Sequence, residues 1–426
     1  MGAGGLRWRI AAMLTLASAI SYIDRQALSV NASLIRGEFG LSNTHYSYLI
    51  ASFLVAYTLS QTLSGHMVDR LGTRVALAAC AVFWSAAALL HGLVTGFAGL
   101  AVCRFLLGLG EAGVVPGAMR GVSEWFPADE RSVATGLFAA GTPGGILIAA
   151  PLVAFITLAF GWRMAFVTTG LLGFAWLVPW LRIYRLPEHH PRIQPAERDL
   201  ILAGRARPAG VNAKVWTLEL LRQRKPWAII LARFMMDPVW WFYVFWLPAY
   251  LADVRKLNLA AIGQVAWIPF LTATLGTLAG GWLSGALLRR TGSLTISRQT
   301  VLFLGAAGTL LGIPAARAHD TSVCLILISI ITFAIGAWST TIVGLAADIL
   351  PPEAVGSMSG LSGTGAAVGG IVFTMLTGWL VDRFSYGPVF WMAASAPLVG
   401  FTVLLVLMGE VRQLQLGPRP AGAEPI

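Results

Sequence analysis

The sequence predicts an all-α integral membrane protein of twelve transmembrane helices, set in two pseudo-symmetric six-helix halves with both termini cytoplasmic. Three observations lead there: scarce charge, recurring long apolar runs, and a one-sided placement of the basic residues. Only 12% of the 426 residues are charged and 57% are hydrophobic, whereas a soluble domain carries about 25% charged residues. Mean hydropathy is +0.73. Uncharged apolar runs of roughly 18 residues or more mark membrane spans, and they recur along the whole chain.

In order, the runs fall at about 10–34, 46–67, 74–93, 97–119, 131–158, 163–184, 226–252, 262–287, 296–316, 321–346, 357–381 and 386–409. Each can cross roughly 30 Å of hydrocarbon at about 1.5 Å rise per residue. Backbone groups in lipid must bond within their own segment, so the runs are helices; a barrel would need short alternating strands. The opening MGAGGLRWRI leads into the first run with no small-residue cleavage site after it, and is expected to be retained.

With the N-terminus inside, 21 of the 30 Lys and Arg fall in inner loops and tails and six in outer loops. That asymmetry follows the positive-inside rule. It explains the formal charge of +11 by topology, so no nucleic-acid partner is expected. The polar stretch 185–225 divides the chain into a first half (1–184), a cytoplasmic linker with one or two short helices, a second half (226–410) and a tail (411–426). The halves resemble each other. Pro127, Gly136, Leu137, Gly141, Gly145 and Phe166 recur as Pro351, Gly360, Leu361, Gly365, Gly369 and Phe390, at one constant separation. Duplication of a six-span unit places a substrate site near the bilayer midplane, between the halves. The Gly-rich stretches 141–145 and 363–370 would let spans five and eleven approach their neighbours closely.

Cys80, Cys103 and Cys324 lie in apolar runs without C-x-x-C spacing, so neither a disulfide framework nor a metal site is indicated. No metal-ligand spacing, nucleophile elbow or phosphate-binding glycine loop stands in a suitable context, which argues against an enzyme.

Between spans two and three the chain reads G-H-M-V-D-R-L-G-T-R, Gly65 to Arg74. Here it resembles the major facilitator superfamily, whose inner-face signature is G-x-x-x-D-R-x-G-x-R. Gly65 and Gly72 permit close packing and a tight turn; Asp69 can accept from a facing helix N-terminus, with Arg70 and Arg74 at the cytoplasmic surface. The resemblance implies a latch that breaks in each transport cycle. The copy in the second half is degenerate, with Gly285 where an acidic residue often stands.

Ionisable residues inside spans point to function, since a charge at mid-bilayer costs roughly 2.5–3.5 kcal/mol on insertion scales. Span one carries Tyr22, Asp24 and Arg25; span four carries Arg104 and, two turns on, Glu111 on the same face. Counted along the helices, Asp24 lies about 22 Å up span one, and Arg104 about 10 Å down span four from the outside, at similar height. Two arginines and two carboxylates can thus share a cavity. Two readings stand at this point: Asp24 or Glu111 exchanges a proton in each cycle, or one acid forms a permanent structural pair with Arg104.

Y-x-D-R in span one, R-x-x-L-G-x-G-E-A from Arg104 to Ala112 and E-W-F-P-x-x-E-R from Glu124 to Arg131 resemble the anion:cation symporter branch. The match runs over essentially the whole chain. By position it implies that Arg25 holds a substrate carboxylate, Tyr22 and Tyr57 line the site, Asp24 and Glu111 handle protons, and Thr142 contacts substrate. Span eleven often offers an asparagine near Gly365, but this chain has Ala366. The second half looks most like hexuronate transporters, in R-F-M-M-D-P-V-W-W-F-Y-V-F-W-L-P (Arg233 to Pro248), G-G-I-V-F and F-S-Y-G-P-V-F. Arg233 and Asp237 are four apart and can pair on one helix face. Trp240 and Trp241 offer flat faces to a pyranose, or anchor span seven at a membrane interface.

The resemblance therefore implies a monomeric inner-membrane carrier that imports a hexuronate such as glucuronate or galacturonate with protons and no other cofactor, by alternating access. A carrier for an aldonate or aromatic carboxylate, coupled to protons or sodium, is the alternative. A sugar-acid sensor is disfavoured because the linker is too short for a signalling domain.

Overall fold

The structure, a computed structural model, describes residues 5–127, 129–203, 219–350 and 352–414. Its helices are α1 (Leu6–Val30), α2 (Ala32–Phe39), α3 (Asn43–Leu90), α4 (Phe97–Glu111), α5 (Val114–Trp125), α6 (Arg131–Phe160), α7 (Trp162–Ile183) and α8 (Pro195–Ala203). They continue as α9 (Arg224–Asp253), α10 (Leu259–Val265), α11 (Ile268–Thr291), α12 (Leu294–Gly308), α13 (Gly312–Arg317), α14 (Thr321–Ile349), α15 (Pro352–Arg383) and α16 (Tyr386–Met408). The described residues contain no strand.

Ten helical stretches among the described residues are long and apolar enough to cross a membrane. The sequence leads one to expect twelve. The two not among the ten, at 10–34 and 46–67, correspond to α1, which carries Arg7, Arg9, Asp24 and Arg25, and to the first part of α3. Spans two and three run together as α3, turned at Gly72, whose φ of 76° lies where an L side chain is strained. Span four is split: α4 ends at Glu111, and the turn Ala112–Gly113 precedes α5. Span eight is α10 and α11, and span nine is α12, the 3-10 turn Thr309–Leu311 and α13.

The chain divides into two compact units, Met1–Pro208 with Val244–Trp267, and Ala209–Tyr243 with Ile268–Ile426. Val244–Trp267 thus group with the first unit.

In the first unit α1 lies against α6 and α7, and α3 against α4 and α7. A Cβ on Gly141 would fall on the carbonyl oxygen of Thr15, and one on Gly145 on that of Ala19, so α6 packs on the backbone of α1. In the second unit a Cβ on Gly365 would meet Ile230 and one on Gly369 the carbonyl oxygen of Phe234. Both pairs of glycines are duplicated positions, and the duplication thus recurs as the same helix contact. Pro351, part of the repeat, lies outside the described residues.

An aromatic ladder braces α7. Trp84 and Trp176 lie 6.2 Å apart, Trp176 and Trp180 5.1 Å, and Trp180 and Tyr184 4.2 Å between ring centroids. Trp176 donates to the Met13 carbonyl at 2.8 Å and Trp180 to that of Arg74 at 3.0 Å. The described part of the linker holds a 3-10 turn, Pro187–His189, and α8. Arg7 fastens it: the guanidinium meets Glu130 at 2.7 Å and Glu197 of α8 at 3.1 Å.

Candidate functional site

Helix α1 brings Arg25 to the end of α4, where Nε donates to Glu111 Oε2 at 2.6 Å. The pair is dry, with side chains 3% and 0% exposed. Three rings surround the guanidinium: its Cζ lies 4.4 Å from the Tyr22 centroid, 4.9 Å from Phe53 and 4.7 Å from Tyr57. Each is within the range of a cation–π attraction. The turn Ala112–Gly113 directly after Glu111 ends α4 at the acid. Next to the cage, Ser18 and Thr142 share a hydroxyl hydrogen bond at 3.2 Å. A planar cation in an apolar, aromatic enclosure is suited to one carboxylate, and here a protein carboxylate occupies it.

Asp24 and Arg104 are also buried, each 1% exposed. Among the described residues neither carboxyl oxygen of Asp24 has a hydrogen-bond partner, nor do Nε and Nη2 of Arg104. The Arg104 guanidinium sits 5.6 Å from the Phe166 ring, on which His91 stacks at 4.7 Å. The buried pair joins Arg25 and Glu111, whereas a structural pair of one acid with Arg104 is one of the two readings the sequence leaves open. Arg104 and Glu111 are seven residues apart on one helix, about 10 Å along its axis, and among the described residues Glu111 pairs with Arg25. His91 is fully buried, with Nδ1 at the Ala87 carbonyl.

In the second unit Arg233 pairs with Asp237, Nε to Oδ2 at 2.9 Å, and donates to Ser362 Oγ at 2.9 Å. Asp237, Trp240 and Trp241 are half-buried, and Trp240 meets Phe270 edge-on at 5.7 Å.

At the Gly65–Arg74 loop Asp69 takes Arg120 of α5 at 2.7 Å, and Arg120 also holds Glu124 at 2.9 Å. Its acceptor role is therefore filled by a side chain of its own unit, where the sequence suggests a helix N-terminus. Arg70 is exposed, Arg74 donates to the Leu181 carbonyl, and a Cβ on Gly65 would meet nothing within 4 Å. The sequence gives no role to Phe53, Ser18, Ser362 or Arg120. Only the last carries a signal, a charge facing the loop one helix away.

The model of the Major Facilitator Superfamily matches residues 14–374 and 292–425. The Hexuronate transporter of Escherichia coli (strain K12) is 34% identical over 409 residues, covering 95% of this chain and 94% of that one. The Galacturonate transporter of Dickeya chrysanthemi is 35% identical over 305 residues, covering 71% and 88%. The D-galactonate transporter of Escherichia coli O6:H1 is 28% identical over 422 residues, covering 96% and 97%. Among solved structures, a D-xylose-proton symporter has the same fold, with a TM-score of 0.74 at 16% identity over 96% of this chain and 99% of that one. A bacterial homolog of the human lysosomal transporter Spinster, inward-facing and unoccupied, aligns at a TM-score of 0.73 and 19% identity, covering 96% of each. Two duplicated helical units, a span-embedded ion pair, the signature loop and relatives over nearly its full length agree: this multi-pass membrane protein belongs to the Major Facilitator Superfamily.

Proposed function

We propose that the protein imports a sugar acid, a hexuronate such as glucuronate or galacturonate, by proton symport through alternating access. The observation that carries this reading is the buried contact of Arg25 with Glu111 at 2.6 Å inside its aromatic cage. A guanidinium matches a carboxylate in shape and charge. Substrate carboxylate and Glu111 therefore compete for Arg25. A proton on Glu111 removes its charge, releases Arg25 and leaves room for one anion, so the buried charge stays balanced only if acid and proton move together. Asp24, a second buried acid on α1, adds a second group that exchanges protons, with Arg104 as the charge near it. Binding shifts the carrier between its states only through such differential contacts.

Tyr22, Tyr57 and Thr142 line the carboxylate end. In the second unit, taken by itself, Asp237, Trp240 and Trp241 suit a sugar ring by residue type, the acid accepting hydroxyl hydrogens and the indoles offering flat faces. The basic loops set both termini in the cytoplasm, and α1 with the first part of α3 complete twelve spans. The carrier works as a monomer in the inner membrane, with transported protons in place of a cofactor and no nucleic-acid partner. The hexuronate and galacturonate carriers among its relatives support this substrate class. An aldonate is the second reading, favoured by the D-galactonate relative.

The test is uptake of labelled glucuronate into proteoliposomes with and without an inward proton gradient, with glucose as the neutral control and sodium varied. Gradient-driven uptake of the acid alone supports the proposal. Uptake that follows sodium, or that favours galactonate over both hexuronates, overturns the coupling or the substrate.

A further inference from the structure

We infer that the cavity under the Gly72 turn binds a phosphate-bearing anion, either the headgroup of an anionic phospholipid or soluble phosphate. This cavity of about 530 Å³ lies within the first unit and is separate from the Arg25 cage. Its size falls in the range of small-molecule sites, roughly 300–1,000 Å³, larger than a lone ion needs.

Three arginines line it, Arg74, Arg120 and Arg185, against one carboxylate, Glu124. That carboxylate is already occupied, accepting from Arg120 Nε at 2.9 Å and from the Tyr184 hydroxyl. Arg74 and Arg185 form no ion pair among the described residues. Among the described residues two lining atoms are buried without a hydrogen-bond partner, the Nε of Arg74 and the Oγ1 of Thr73, the latter on a residue 2% exposed. A buried donor left unmet is unfavourable, and an anion with several acceptor oxygens would meet it.

The rim gives the second part of the recognition. Leu71 and Leu186 line the cavity and are exposed, as are Leu181 and Val75 beside it. The cavity opens where the apolar stretch Trp162–Ile183 ends. A basic pocket at that depth, edged by apolar side chains, suits a phosphate held by the arginines with acyl chains running past the leucines. A phosphate there competes with Asp69 and Glu124 for Arg120. Occupancy would therefore loosen the Asp69–Arg120 contact of the Gly65–Arg74 loop and make transport sensitive to the lipid composition of the bilayer.

The full chain, purified in mild detergent, is offered phosphatidylglycerol or phosphatidylcholine, and bound lipid is counted by native mass spectrometry. In parallel, the delipidated protein is titrated with inorganic phosphate and followed by thermal unfolding. The expected result is retention of phosphatidylglycerol over phosphatidylcholine, reduced at least tenfold by Arg74→Gln with Arg185→Gln and by Arg185→Glu alone. Arg185 is exposed, so its single variant reads binding with the fold intact. Stabilisation by inorganic phosphate that the variants lose, without selective lipid retention, assigns the site to the soluble anion. Equal retention of both lipids with no phosphate effect, or variants that bind as the wild type does, overturns the inference.

Discussion

Replacing Glu111 by Gln isolates the competition proposed for Arg25. The variant keeps the side-chain volume and removes the charge from a contact of 2.6 Å whose partners are 3% and 0% exposed. A hydrogen bond to a charged group contributes about 1.5–3 kcal/mol net. A substrate carboxylate must overcome that preference in the wild type unless Glu111 carries a proton. At about 1.4 kcal/mol per tenfold, Glu111→Gln should bind the acid roughly ten- to a hundredfold more tightly at neutral pH. Stability should move the other way. Removing one member of a buried pair costs about 3–5 kcal/mol, and the three rings around Arg25 offset part of that, about 2 kcal/mol for a desolvated cation–π contact. The apo variant should therefore melt earlier, and saturating substrate should restore it by mass action. Binding is measured between pH 5 and 8, with exchange and gradient-driven uptake assayed in proteoliposomes. The wild type should approach the variant's affinity as pH falls, while the variant's affinity stays flat; the variant should exchange substrate and fail to accumulate it. Gradient-driven accumulation by Glu111→Gln, or a binding profile that still follows pH as the wild type's does, would refute the competition.

Arg25→Lys keeps the charge and loses the planar fork, so substrate affinity should fall at least tenfold with the protein still folded, read by binding and thermal unfolding together. Gly145→Ala drives a methyl group into the backbone of α1 at Ala19 and should cost about 1–3 kcal/mol, whereas Gly144→Ala, with nothing within 4 Å, should leave the melting temperature unchanged. Glu38, in α2 and outside the spans, is held below the ordinary carboxylate range by the guanidinium of Arg163 and the indole N–H of Trp162. The stability it adds is present above the ordinary carboxylate pKa of about 4.3 and fades as pH falls through the lowered value. Because the pair is well exposed, Glu38→Gln should cost at most about 1 kcal/mol at pH 7 and nothing in strong acid, by thermal unfolding at both.

The helices were legible because lipid leaves the backbone no alternative and the apolar runs are long. Their interruptions were not: the break after Glu111 and the split of span eight follow from local packing that hydropathy does not encode. At the site, Arg25 and Glu111 stood out as charges inside apolar runs, and their residues could be named. Which arginine takes which acid could not, because that depends on the rotation of α1 relative to α4. Phe53 was invisible for a related reason. One more phenylalanine in a membrane helix carries no signal until its face is known. Asp24 shows the same limit from the other side, adjacent to Arg25 in sequence yet without a share in its ion pair.

The cage around Arg25 has an optical consequence. Its polar rings are the phenols of Tyr22 and Tyr57, with Phe53 beside them and no indole. Although the chain has 16 Trp, the ladder that braces α7 holds several of them in fixed surroundings, away from this chemistry. A swap of Glu111 for a ligand carboxylate would therefore register in the tyrosine bands of an ultraviolet Raman or difference-absorption spectrum, while tryptophan emission from the ladder stays steady. With only 8 Tyr in the chain, the protein carries its own label-free reporter of occupancy.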